Sequence, residues 1–148
     1  MSPFRVYMSG DAPISIDRAT RTVAGLAVPW ATPGLVQGVD LPLVFVRGSL
    51  EIDNRARLLR GHDPNVVVGR PLWWGDQPGG LRAGFQISRT PEGDDMLVDA
   101  EDRIRDGLSV GADLFEVIEQ GGFLVVRSGM VREVSVVGMP AYASARIE

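Results

Sequence analysis

The 148-residue chain is 45% hydrophobic and carries 15 basic against 19 acidic residues, a net charge of −4 that argues against a nucleic-acid-binding surface. With no lysine, no cysteine and one histidine, it excludes lysine Schiff-base and P-loop chemistry, thiol nucleophiles, cysteine-ligated metals, disulfides and multi-histidine metal sites. No apolar run reaches about 18 residues and Met1–Arg5 lack a secretory h-region, so a soluble single domain over residues 1–148 is expected, with no membrane partner and no cofactor.

Eighteen glycines and ten prolines punctuate short apolar stretches, the signature of a β-rich domain with many turns. Residues 1–20 read as a lead-in or an edge strand. Val23 to Val28 and Leu43 to Arg47 read as strands, the second buried on both faces. Ser49 reads as the N-cap of a short helix over Leu50, Glu51 and Ile52. Gly61-His62-Asp63-Pro64 marks a turn, and Val66-Val67-Val68 a strand running toward Trp73 and Trp74. Leu81, Ala83, Phe85 and Ile87 alternate with polar or small residues, the period of a half-buried strand. A helix is expected between Pro91 and Gly107, with Met96, Ala100 and Ile104 on one face. Acidic Glu92, Asp94 and Asp95 sit at its start, Arg103 and Arg105 at its end, and Gly107 at C′. Leu108 to Ala112 follows as a strand. Phe115 to Ile118 and Phe123 to Val126 flank the Gly121-Gly122 turn of a hairpin, and Val131 to Val137 closes the pattern. This order predicts an α+β, β-rich fold with a closed or nearly closed β-barrel and a few surrounding helices.

Chemistry near neutral pH falls to His62, carboxylates and hydroxyls. Gly107-Leu108-Ser109-Val110-Gly111 matches the G-x-S-x-G pattern of a serine nucleophile. The strand–turn–helix elbow of the α/β-hydrolases is rejected, because Ser109 follows a helix and the histidine lies 47 residues upstream. A serine hydroxyl needs a base to remove its proton, and His62 has the side chain suited to that task. The base in turn needs an orienting carboxylate. Glu133 interrupts an apolar strand, and period 2 places Val131, Glu133, Ser135 and Val137 on one face. A carboxylate among valines must find a partner or bear a desolvation penalty. Plainer readings stand beside these: His62 as a turn residue, Ser109 as a small residue at a tight junction, and Glu133 paired with an arginine across the sheet. Trp73-Trp74 reads as packing. Ser135, on the Glu133 face, competes for the nucleophile's role. Backbone N–H of Ser109 or Val110 and the side chain of Arg132 are the candidate oxyanion donors.

Several short segments resemble landmarks of the tailed-phage prohead maturation proteases. Leu58-Leu59-Arg60-Gly61-His62-Asp63-Pro64 followed by Val68-Gly69-Arg70 is similar to that family's His-Asp-Pro … Val-Gly segment. Gly107-Leu108-Ser109-Val110-Gly111 resembles its Gly-Leu-Ser-x-Gly segment. Glu133-Val134-Ser135-Val136-Val137, then Pro140-Ala141 and Ala145-Arg146-Ile147, resembles its closing pattern. Val23-Ala24-Gly25-Leu26-Ala27 and Phe45-Val46-Arg47-Gly48-Ser49-Leu50 are similar to its early landmarks, so the likeness runs from about residue 21 to residue 147.

The resemblance implies a serine endopeptidase with a fold like that of the herpesvirus assemblins. It implies His62 as base, Ser109 as nucleophile and Glu133 as third member, where the assemblins place a second histidine. It also implies capsid or scaffold protein as substrate, with self-cleavage, inside the immature capsid in the cytoplasm of a bacterial host. The pattern closes at Ile147, so the C-terminal tail common in relatives is expected to be absent or already removed. A homo-oligomer is left open. Two rivals remain: a catalytically idle capsid-assembly or scaffold factor of the same fold, and a β-rich binding module. Confinement with substrate supplies encounter without intrinsic affinity, so no obvious specificity pocket is expected.

Overall fold

Alternation of apolar and polar residues produces strands over most of the chain, and a computed structural model describes residues 4–9, 14–36 and 38–138. Ten strands and one helix follow in chain order: β1 (Phe4–Ser9), β2 (Ser15–Asp17), β3 (Thr22–Pro29), β4 (Leu43–Phe45), β5 (Leu50–Ile52), β6 (Leu58–Arg60), β7 (Asp63–Gln77), β8 (Gly80–Ile87), α1 (Pro91–Glu101), β9 (Gly107–Gln120) and β10 (Phe123–Val137). The architecture is thus β-rich α+β. The Pro140-Ala141 and Ala145-Arg146-Ile147 landmarks lie outside the described residues.

All ten strands belong to one sheet, eight of them in the order β1-β9-β10-β6-β7-β8-β3-β2, with β4 and β5 joined to β10 off this path. Its hydrogen-bonded path is open among the described residues, ending at β1 and β2, so ladder pairing does not close it into a barrel. The sheet nevertheless curls. Gly25 of β3 packs against the side chains of Ile14 and Leu108, and the Ile14 N–H donates to the Asp106 carbonyl at 2.8 Å. Leu43, Phe45, Leu58, Leu81, Phe85, Leu97 and Leu108 fill the concave interior with no exposed surface. Each such side chain contributes about 1.5–3 kcal/mol on leaving water.

Strand β10 organises the site. Its long antiparallel ladder with β9 turns at Gly121 and Gly122, both at positive φ, as a two-residue type I′ hairpin requires. Along its other edge β4, β5 and β6 pair with it in parallel, one after another. The two stretches expected as separate strands, Phe123 to Val126 and Val131 to Val137, are therefore one.

Three expectations are corrected. The helix expected after Ser49 is strand β5: Leu50 and Ile52 are buried while Glu51 is exposed, so the period is two, and the β10 edge supplies its backbone partners. Helix α1 stops at Glu101, short of Gly107, with Asp102 as C-cap and Arg103 in the left-handed region. Ile104 consequently lies beyond the helix and is exposed, while Met96, Leu97 and Ala100 form the buried stripe. Only this helix occurs among the described residues, not several. Third, a bulge between Val131 and Glu133 breaks their shared face, placing Val131 in the core with Val134 and Val136.

The helix start follows expectation. Thr90 Oγ1 accepts the Gly93 N–H at 3.1 Å, Pro91 opens the first turn, and Glu92 and Asp94 complement the helix dipole there.

Candidate active site

Alternation along β9 buries Leu108, Val110 and Ala112 and turns Ser109, Gly111 and Asp113 to the opposite face. On β10 the bulge does the same for Glu133 and Ser135, with Val134 and Val136 in the core. Register then fixes the neighbours: Ser109 faces Ser135, and Gly111 faces Glu133. A glycine opposite Glu133 leaves room beside the carboxylate for a further side chain.

That side chain is His62. Parallel pairing of β6 with β10 sets Leu59 beside Ser135 and Arg60 beside Val136, so the chain leaves β6 at the level of the two serines. Gly61 and His62, both at φ +60, make the two-residue turn into β7, with Arg60 opposite Asp63. The Gly61 N–H donates to the Val136 carbonyl and the His62 N–H to Ser135 Oγ at 2.9 Å. A left-handed conformation costs a non-glycine residue roughly 1–2 kcal/mol. Here two hydrogen bonds to β10 hold it.

The imidazole bridges the two strands. His62 Nδ1 lies 2.5 Å from Glu133 Oε1, and His62 Nε2 lies 2.8 Å from Ser109 Oγ. With Glu133 accepting the Nδ1 proton, Nε2 carries the lone pair and accepts from the serine hydroxyl. Ser109 is 4% exposed and Ser135 is wholly buried, so little water competes for these bonds. All three residues singled out in the sequence therefore meet at one place. Glu133 pairs with His62 rather than with an arginine, and His62 occupies the turn predicted for it while also reaching both partners.

The other carboxylates weighed in the sequence have different settings. Asp63, next in sequence, caps its own turn by accepting the Asn65 N–H. Asp113 sits in the β9 ladder between buried Ala112 and Leu114, more enclosed than its sequence neighbours suggest, and accepts from Arg132 Nε at 2.9 Å. Glu116 and Glu119 are exposed.

Arg132, the extra residue of the bulge, also donates through Nη1 to Asp53 Oδ2 at 2.7 Å. Hydrogen bonds from the Arg55 N–H and the Arg132 guanidinium hold the Asp53 carboxyl below the usual range, and the two carboxylates raise Arg132. The guanidinium is thereby committed to an ion-pair row beside Glu133. Ser109 and Val110 lie between β1 and β10, so their N–H groups lie in the plane of the sheet.

Sequence reasoning missed two supports. Ser135 anchors the backbone of His62, a role that no local pattern announces because it needs the β6–β10 pairing. Asp99 of α1 joins Arg60 at 2.7 Å and Arg105 at 2.8 Å, tying the helix to the strand that carries the His62 turn. Comparison with protein-family models, curated proteins and solved structures finds no match. No helix among the described residues is long and apolar enough to cross a membrane.

Proposed function

We propose that the chain is a serine endopeptidase of the prohead-maturation type, with His62, Ser109 and Glu133 as its acid–base and nucleophilic machinery. The observation that carries this reading is the continuous Ser109–His62–Glu133 hydrogen-bond line across three separate chain segments. Segments similar to the family's landmarks supply the class of substrate, a capsid or scaffold polypeptide, and the immature phage capsid as its setting. The curled sheet, with β3 returning against β9, suits an assemblin-like barrel.

In the proposed reaction His62 Nε2 takes the Ser109 proton as Oγ attacks the scissile carbonyl. The imidazolium formed is stabilised by Glu133 through Nδ1–H. It then returns the proton to the leaving amine, giving an acyl-enzyme. Water, deprotonated by the same nitrogen, attacks the ester and releases Ser109. Glu133 holds the Nδ1–H and so fixes the tautomer.

Where capsid and scaffold genes lie beside this one, co-expression with their products tests the reading. The wild type is expected to truncate at least one of them, and Ser109→Ala to leave it intact. Equal processing by both would contradict it. Intact substrates with the wild type would favour the idle assembly factor.

A further inference from the structure

The face of the sheet that carries Ser109 and Glu133 continues, beyond the end of β6, into an open cavity of about 260 Å³. Asp53, Asn54, Pro71, Leu72, Trp73 and Trp74 line it. The cavity exists because β6 is only three residues long while β7 runs on past it, leaving the Asp53–Asn54 turn as the far wall. A bulge between Pro71 and Trp73 lifts Leu72 out of the ladder and sets Trp73 opposite Gly84. Leu81, Ala83 and Phe85 point to the core, so Gly84 and the indole of Trp73 that lies against it belong to the outer face. Trp73, Leu72 and Trp74 are 45%, 45% and 38% exposed, a large apolar surface left in water.

Two observations say what this cavity suits. It is continuous with the active-site row: Asp53 binds Arg132, which adjoins Glu133. Three arginines stand close in sequence to its lining residues. Arg55 adjoins Asn54, Arg57 follows two residues later, and Arg70 precedes Pro71, facing outward opposite Gln86. All three are exposed, and none forms an ion pair with an acidic residue among the described residues. The Asp53 N–H bonds Val131, whereas Ser109 faces Ser135. Val131 pairs with Ala112, so Asp53 stands three ladder positions, or roughly 10 Å, along the sheet from Ser109, and β7 lies two strands beyond β10.

Resting on the protease reading, the geometry points to a substrate subsite: an extended acidic polypeptide lies across the β7–β10 face with one large apolar side chain, several residues from the cleaved bond, seated on Leu72, Trp73 and Trp74. Arg55, Arg57 and Arg70 attract the flanking carboxylates.

Binding can be read without cleavage. Ser109→Ala protein with labelled indole nitrogens is titrated with peptides carrying one Phe among Asp and Glu residues, with the Ala counterpart, with a Lys-flanked counterpart, and with a single-stranded oligothymidylate. The Phe peptide is expected to shift the Trp73 and Trp74 indole signals and to spare Trp30, which is buried and bonded to Asp76. The Ala and Lys peptides are expected to bind at least about tenfold more weakly, and affinity to fall with salt. Leu72→Ser and the Arg55→Glu, Arg70→Glu pair are each expected to lower affinity for the Phe peptide by about tenfold. Equal binding of all peptides, no shift at Trp73 and Trp74, or tighter binding of the oligonucleotide would overturn the subsite. Fluorophosphonate labelling of wild-type Ser109 is scored separately. Groove binding without labelling would uphold the peptide site and remove the protease reading, whereas labelling without groove binding would do the reverse.

Discussion

The three residues of the hydrogen-bonded line differ in what their removal should do. Ser109→Ala deletes the proposed nucleophile and is expected to lower kcat/KM by on the order of 10⁴–10⁶ while the protein stays folded. Glu133→Gln keeps the shape but not the charge that stabilises the imidazolium, so kcat should fall by less than for Ser109→Ala. Ser135→Ala separates two roles. As anchor of the His62 turn, its loss strips a buried acceptor from the His62 N–H, destabilising by about 1–2 kcal/mol with cleavage reduced but measurable. Abolished cleavage in Ser135→Ala with activity kept in Ser109→Ala would instead make Ser135 the nucleophile. As the proposed base, His62 is the group whose loss leaves Ser109 without a proton acceptor, so His62→Ala is expected to abolish cleavage while the protein stays folded. The candidate residues were legible at this scale: one histidine, one serine in a G-x-S-x-G setting and one glutamate set among valines left few alternatives. The Ser135 bond and the left-handed turn were not, because both arise from pairing between β6 and β10, segments more than 70 residues apart.

Short elements are where local patterns and tertiary partners compete. Three residues after Ser49 satisfy a capping rule, yet the free edge of β10 offers them a ladder, and a three-residue helix offers little in return. The bulge at Arg132 escaped the period-2 reading because an inserted residue leaves composition unchanged while reversing the face of everything before it. Helix α1 provides a test with opposing signs. Helix propensity alone predicts that Gly93→Ala stabilises by about 1 kcal/mol. A Cβ at that position would fall on the Ser88 carbonyl oxygen, however, and backbone contact of that kind wins. A net destabilisation of about 1–3 kcal/mol is expected in urea unfolding; a gain would show that the helix can move away from the end of β8. The tie from α1 to β6 through Asp99 gives a second outcome. Asp99→Ala leaves Arg60 and Arg105 without their shared carboxylate and should cost about 1–2 kcal/mol, the groups being only partly buried.

Across the whole molecule, strand content and most strand positions were written in the alternation of apolar residues, whereas the order of strands in the sheet was not. Three parallel pairings along one edge of β10 depend on where the chain returns, which no local period encodes. One buried group couples the global fold to pH. Asp106 is 2% exposed, and no side chain among the described residues hydrogen-bonds its carboxylate oxygens. Burial raises its pKa above the ordinary 3.8, the nearby Arg103 opposing this only in part. Between the unfolded value and that raised value the folded state binds more protons, so stability should fall as pH rises through this window and level off above it. Asp106→Asn removes that fall and should be more stable than wild type at neutral pH by about 1–3 kcal/mol, with the difference vanishing toward pH 3. Calorimetric Tm values across that range would check both the sign and the window.

The central claim is that Ser109 is an activated nucleophile, and a fluorophosphonate probe located by peptide mass tests it most directly. A single adduct on Ser109 is expected, formed far more slowly in His62→Ala than in wild type. No adduct, or an adduct on Ser135 with Ser109 unmodified, would contradict it.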